Sequence, residues 1–291
     1  MHASLIFTSL DLAYPDSWLT YIPQVVSPFQ SILDYELGLG IPPGWVNYSI
    51  SKSAPNGFFH RLERGEIPLD DAFYTGFNGD LHDPARWEAF YKLQQSKDPS
   101  LPEALPPVPR LDGQWLFNDM MTASTTSDPW MYPALKNLKS SGKYIIAALS
   151  NTVNFPPGHV LHRPDFFNDP IRILFDVFVS SAHVGLRKPD PKTYLYTLNE
   201  LDKFARSNAN STRGQSLRWG EGIRPEDVVF LDDIGENLKA AKALGIQTIK
   251  VSLGQAFKAV DQLEVVTGLR LAGDHPRIPI QPKITNTKAK I

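Results

Sequence analysis

The sequence predicts an α/β fold, a doubly wound parallel sheet with a helical module placed ahead of most of its strands. Three observations predict it. From residue 129 onward, helical and strand patterns alternate across mostly short connections, and such alternation builds parallel sheets. Two runs, Tyr144-Ile145-Ile146-Ala147-Ala148-Leu149 and Val228-Val229-Phe230-Leu231, are apolar without interruption, as strands buried on both faces are. Residues 28–127 instead show helical spacing broken by loops, with no comparable run.

Composition agrees with an ordinary globular protein. Of 291 residues, 42% are hydrophobic and 21% charged, and the net charge is only −2. Basic and acidic residues are mixed along the chain, so neither a nucleic-acid surface nor an anionic membrane is an expected partner. No run approaches the roughly 20 apolar residues of a membrane span. Leu5-Ile6-Phe7 is too short for a signal-peptide core and has no Lys or Arg before it. There are no cysteines, which removes disulfides, thiolate zinc sites and thiol nucleophiles together and fits a reducing compartment. The expected location is cytoplasmic.

Taken in order, Leu5-Ile6-Phe7-Thr8 reads as a short strand and Tyr14-Pro15-Asp16 as a turn. Phe29, Ile32, Leu33 and Leu37 share a helical face that ends at Gly38 and Gly40. Helices are expected around Phe58 and Leu62, from Asp70-Asp71, from Pro84 to Tyr91, and around Leu116 and Met120. Pro99, Pro102, Pro106, Pro107 and Pro109 make a stiff connector. A helix from Trp130 ends at Gly142. The strand Tyr144–Leu149 stops at Ser150-Asn151-Thr152, and a proline-rich loop leads to the strand Phe175–Val179. Asp190 is an N-cap with Pro191 in the first helical position, opening a helix from Lys192 to about Arg206. Residues 207–222 read as a mobile polar insertion. The strand Val228–Leu231 ends on Asp232-Asp233 and is followed by a helix, the strand Thr248–Val251, and a helix from Ala256 to Thr267.

In a parallel sheet the carboxyl ends of the strands share one edge, where ligands bind. Ser150-Asn151, Lys188 and Asp232-Asp233 all fall there. Adjacent carboxylates repel unless a cation or a basic side chain sits between them. A hydroxyl, an ammonium and an acid pair with Mg²⁺ make a site for a phosphoryl group, because the positive charges neutralise its oxygens while the hydroxyl and amides hold them.

Leu149-Ser150-Asn151, Arg187-Lys188-Pro189-Asp190-Pro191 and Phe230-Leu231-Asp232-Asp233-Ile234-Gly235-Glu236-Asn237 resemble the second, third and fourth motifs of haloacid dehalogenase-like (HAD) hydrolases. The resemblance extends over roughly residues 25–270. It is strongest to the subgroup related to the N-terminal phosphatase domain of soluble epoxide hydrolase. It implies a HAD-like Rossmannoid core with an inserted helical cap. The implied organisation is an atypical N-terminal segment over 1–27 containing a possible first core strand, a cap over 28–127, an α/β core over 128–272 and a flexible tail over 273–291. By the same resemblance Ser150 binds phosphoryl oxygens and Asn151 orients substrate. Lys188 pairs with nucleophile and substrate charge, Asp233 holds Mg²⁺ with Asp232 beside it, and Asn237 supports the loop. The implied partner is a small phosphorylated molecule, and the implied chemistry passes through an aspartyl-phosphate that water releases.

The first motif departs from the family. Aligning Leu5-Ile6-Phe7 with the family's first strand puts Thr8 at the position of the nucleophilic aspartate, and Asp11 falls three residues late. Thr8 and Asp11 are weak candidates, since a threonine hydroxyl lacks the charge of a carboxylate and needs a base to activate it. Either the N-terminus is a mis-started or spliced form of an active enzyme, or the chain is a HAD-fold protein without its nucleophile; the change of texture at residue 25 favours the first. The expected function is Mg²⁺-dependent hydrolysis of a phosphate monoester. The alternatives are a catalytically inactive HAD-fold binding protein and, with less support, a 2-haloacid dehalogenase. His159 and His162 have a metal-like spacing, but the surrounding prolines favour a structural loop. The sequence leaves the substrate and the oligomeric state open.

Overall fold

A computed structural model describes residues 4–7, 28–123, 127–162, 164 and 171–280. Five parallel strands form one sheet: β1 (Ser4–Phe7), β2 (Ile145–Ser150), β3 (Val177–Ser180), β4 (Val228–Asp232) and β5 (Gln247–Lys250), in the order β3-β2-β1-β4-β5. The chain starts in the centre, builds outward through β2 and β3, then returns to the other side of β1 for β4 and β5. That reversal is a topological switch point, and it lies between β1 and β4.

The short run Leu5-Ile6-Phe7 is therefore the central strand, with Phe7 in register with Ala148 on one side and Leu231 on the other. Ser150 is level with Ser180, and Asp232 with Lys250. Every residue of β2 and of β4 is buried, which is why both read as unbroken apolar runs. Alternate residues point to opposite faces. Ile146, Ala148, Val229 and Leu231 pack under α7 (Met131–Ser141) and α12 (Phe257–Thr267). Ile145, Ala147, Leu149, Val228 and Phe230 pack under α9 (Pro191–Ser207) and α11 (Gly235–Ala243).

Between β1 and α7 the described residues form six helices: α1 (Pro28–Gly38), α2 (Trp45–Lys52), α3 (Phe58–Glu63), α4 (Asp71–Leu81), α5 (Pro84–Gln95) and α6 (Gly113–Ala123). They enclose their own aromatic core of Trp45, Phe59, Phe73, Phe77, Trp87, Phe90 and Phe117. Local signals start two of them. The Asp70 side chain accepts from the Phe73 amide and the Asp83 side chain from the Arg86 amide, each a satisfied N-cap.

The helix α2 has no such signal and is not expected from the sequence. It contains Val46, Ile50 and two serines, which are indifferent helix formers, and Gly44 before it has φ 102. Its first turn is held from α1 instead. The buried Glu36 carboxylate accepts from the Gly44 and Val46 amides at 2.6 and 2.7 Å, doing from eight and ten residues away what a local cap does elsewhere.

Residues 207–222 also differ from expectation. They fold into α10 (Thr212–Ser216) and a 3-10 turn at Trp219–Glu221. Trp219 is buried, and the Arg213 guanidinium lies 4.7 Å above its ring. Arg213 donates to the carbonyls of Gly142 and Tyr144 and approaches both oxygens of Asp176, which also takes Lys139 at 2.7 Å. A polar composition concealed one tryptophan anchor and one multidentate arginine. Residues 273–280, placed in the tail by the sequence, carry the Pro276 carbonyl that accepts from the Trp130 indole and an Ile280 amide bonded to Gly254.

Helix α9 tests the packing. Leu201 is fully buried against the sheet while Leu195 on the same helix is half exposed. Leu201→Ala should lower the unfolding free energy by about 2–5 kcal/mol, the cost of a cavity in a close-packed core. Leu195→Ala should change it by less than about 0.5 kcal/mol. Urea unfolding midpoints measure both, and similar midpoints for the two variants would contradict the packing.

Candidate active site

The carboxyl edge of the sheet is organised around a buried ion pair. Lys188 and Asp232 are 3% and 0% exposed, and the Lys188 Nζ stands 3.2 Å from Asp232 Oδ2. Removing two charges from water costs several kcal/mol each, so such a pair persists only when its remaining valences are filled. Here they are. Lys188 Nζ also donates to the Leu149 carbonyl at 2.8 Å and lies 5.7 Å above the Phe230 ring. Asp232 Oδ1 accepts from the Ile234 amide at 2.7 Å, and the Asn237 side-chain amide donates to both carboxylate oxygens at 3.1 and 3.0 Å. Asn237 is itself buried, and its carbonyl takes the Tyr194 hydroxyl at 2.9 Å.

Asp233 is placed differently. The residue keeps some surface in contact with solvent, but its carboxyl is surrounded by protein atoms: burial pushes its pKa up to about 7, the charge of Asp232 adds to this, and Lys188 opposes in part. Two adjacent acids have thus been separated. Asp232 is neutralised by the protein, while Asp233 carries an ionisation that a nearby cation would relieve. The donor type suits Mg²⁺, which takes hard oxygens and keeps several waters and substrate oxygens in its shell. Among the described residues no group of three or more His, Asp or Glu side chains converges to hold a metal unaided. Among the described residues, Asp233 with Asp232 beside it is what could hold such an ion, together with water and substrate.

Ser150, at the end of β2, is buried. The Asn151 side chain joins the loop after Ser150 to the loop carrying Lys188: its Oδ1 accepts from the Lys188 amide at 2.9 Å and its Nδ2 donates to the Lys188 carbonyl at 3.3 Å. Both polar ends face the Lys188 backbone, which fixes the lysine in place. The sequence alone would not separate this role from substrate contact, since the partner is a main chain 37 residues away. Thr8 and Asp11 lie outside the described residues.

The ends of β2 and β3 bring further polar neighbours together, among them His183, which the sequence places near Lys188 as either a site-lining or a packing residue. The Thr152 and Ser180 hydroxyls are 2.6 Å apart, and Ser180 Oγ is 2.6 Å from His183 Nδ1. Burial, aided by Arg172, holds the His183 imidazole below its ordinary range. The readable signal was that β3, like β2, ends on a hydroxyl. His159 and His162 form no metal pair: His159 Nδ1 accepts from the Leu161 amide, and His162 Nδ1 is 2.7 Å from the Phe155 carbonyl. They shape the loop after β2, which sends Val153 into the aromatic core of the helical module. That module therefore rests on the carboxyl edge of the sheet.

Residues 114–245 match the sequence profile of the haloacid dehalogenase-like hydrolases. Bifunctional epoxide hydrolase 2 of Mus musculus is 32% identical over 261 residues, which cover 90% of this chain and 39% of that protein. Acyl-CoA dehydrogenase family member 10 of Mus musculus is 30% identical over 165 residues, covering 57% of this chain and 12% of that protein. A HAD family enzyme of Bacteroides thetaiotaomicron, solved as a magnesium complex, is 15% identical with a TM-score of 0.42, covering 90% of this chain and 98% of that one. Together the profile match and the similarity to bifunctional epoxide hydrolase 2 support membership of the haloacid dehalogenase-like hydrolase superfamily. The chain spans well under half the length of these two curated relatives. Among the described residues no helix is long and apolar enough to cross a membrane.

The Asp233 carboxyl gives a pH signature without any ligand. Its pKa in the folded chain, about 7, stands above the ordinary 3.8. The folded state therefore holds a proton that the unfolded state releases, and stability from this group is complete below pH about 4 and lost as pH rises to about 7. In the presence of a chelator, Asp233→Asn should gain melting temperature relative to the parent as pH is raised from 4 to 8. A difference that stays constant across that range would contradict the assignment.

Proposed function

We propose that the chain is a Mg²⁺-dependent hydrolase of a small phosphate monoester, with its site at the carboxyl ends of β1, β2 and β4. The observation that carries the reading is the unequal environment of the two adjacent acids. Lys188 and Asn237 satisfy Asp232, while Asp233 beside it has an ionisation that burial and the charge of Asp232 oppose and that a cation would favour. Similarity to bifunctional epoxide hydrolase 2 supports the same class.

In this reading Lys188 holds the nucleophile and substrate charge in position. Ser150 and its adjacent amides bind phosphoryl oxygens, Asn151 keeps Lys188 in place, and Asn237 holds Asp232. Asp233, with Asp232 beside it, would bind Mg²⁺, which supplies neutralisation of the charge on the phosphoryl oxygens. The groups that stabilise charge are preorganised by hydrogen bonds within the fold, so little reorganisation accompanies the reaction. The substrate is a small phosphorylated molecule admitted beneath the helical cap.

A second reading follows from one fact. The central strand β1 runs into Thr8 in the sequence, with no aspartate before Asp11. A hydroxyl there provides no anionic nucleophile. The chain would then bind a phosphorylated ligand or a partner without turning it over.

Turnover of p-nitrophenyl phosphate, with Mg²⁺ and with a chelator, separates the two. The phosphatase reading expects Mg²⁺-dependent turnover that Lys188→Ala lowers by about 10²-fold or more, the scale of a lost charge-stabilising group. Absence of turnover in the parent, with turnover gained in Thr8→Asp, would establish the binding reading. Mg²⁺ should also raise the melting temperature of the parent and leave Asp233→Asn unmoved; a shift that survives the substitution would place the metal elsewhere.

A further inference from the structure

Among the described residues a polar junction joins the helical module to the core one residue from the buried lysine. Helix α3 ends on Glu63, whose Oε2 accepts from Arg187 at 2.8 Å through Nε and at 2.6 Å through Nη2. Both side chains are largely withdrawn from water, 10% and 18% exposed. The Glu63 carbonyl takes the Ser181 hydroxyl at 2.5 Å. Gly65, at φ 66, lies so close to the Ala182 carbonyl that a Cβ would stand 2.3 Å from its oxygen.

The pairing is selective. Arg64, the next residue of the chain, is engaged by Glu66 at 2.6 and 2.9 Å, so Glu63 is left to Arg187. One turn before Glu63, His60 is buried with Nδ1 unpartnered. Burial, with the charges of Arg187 and Arg64 behind it, pushes its pKa down to about 4. The imidazole is then neutral, and Glu63 is the counter-charge that Arg187 has at this junction.

Arg187 and Lys188 are consecutive, so their Cα atoms are fixed about 3.8 Å apart. The Lys188 amide is tied to Asn151 and its ammonium to Asp232. A displacement of Arg187 is transmitted to that network. We propose that Glu63 is a positioning residue of the cap: through Arg187 it clamps the backbone that presents Lys188, so that seating the helical module and placing the lysine are one event. The consequence for turnover rests on the phosphatase reading; the mechanical coupling does not.

Amide hydrogen exchange of the metal-free protein tests the coupling. Glu63→Gln should speed exchange of the Lys188 amide about tenfold, within the range of coupling expected for residues in one network. The slow amides of Ile146 and Phe230 should keep their rates. Arg187→Gln should do the same, and the double variant should exchange no faster than either single one. An unchanged Lys188 amide, a rise shared with the core amides, or an additive double variant would each overturn the proposal. If Arg187→Gln does not fold, Glu63→Gln decides alone by the same comparison. Where the parent turns over p-nitrophenyl phosphate, Glu63→Gln should lower kcat about tenfold with KM changed less than twofold. An inactive parent counts against the phosphatase reading only, and the exchange comparison still decides the coupling.

Discussion

The structure depends on the charge pair buried at the end of the sheet. An ammonium and a carboxylate that meet away from water lose hydration worth several kcal/mol apiece, and their mutual attraction offsets this only with good geometry and filled valences. The surroundings of Lys188 and Asp232 read as a list of those fillings. The Leu149 carbonyl ends a strand, the Ile234 amide opens a turn, and the Asn237 side chain comes from the first turn of α11. These groups belong to three stretches that meet only when β2 and β4 flank β1 in parallel. The pair therefore specifies the topology as much as it benefits from it.

The two bodies of the protein are held by different physics. The sheet and the helical module each have an apolar core, and Val153 crosses from the loop after β2 into the helical one. Where module and sheet edge meet at α3 and α8 (Ser181–Val184), polar and directional contacts join them: the Glu63–Arg187 pair, the Ser181 hydroxyl and the close approach of Gly65. Apolar burial is insensitive to direction, whereas hydrogen bonds to a guanidinium fix orientation. A helical layer that must sit over a site in one pose is served by the second kind of contact.

What was legible in the sequence follows from range. β2 and β4 were readable because burial on both faces leaves no polar residue in the run, and Leu5–Phe7 was readable as a strand because its residues are apolar in succession. That β1 is central is a property of pairing, visible only in its register with Ala148 and Leu231. Helix α4 announced itself with Asp70, three residues from the amide it caps. Helix α2 could not, because its cap is Glu36 on another helix. The same limit applies at the site. Ser150, Lys188 and the acid pair stood at strand ends, but the partner of Asn151 was a distant main chain, and the burial of Trp219 was hidden in a polar stretch.

The division between Asp232 and Asp233 separates architecture from chemistry. Lys188, Asp232 and Asn237 satisfy one another, so the fold alone accounts for their presence: removing any one strands a buried charge or donor. Asp233 is accounted for less easily. The protein around it and the charge of Asp232 both oppose its ionisation, and Lys188 relieves this only in part. At neutral pH it is a cost to the empty fold rather than a support. A residue that the structure works against, set beside a network that the structure requires, is where a ligand has to enter the energetics. Perturbed carboxyls of this kind gather at functional sites. In the proposed function the cation-binding half of the site belongs to this edge whatever stands at the end of β1, so binding and turnover are properties that can be tested separately.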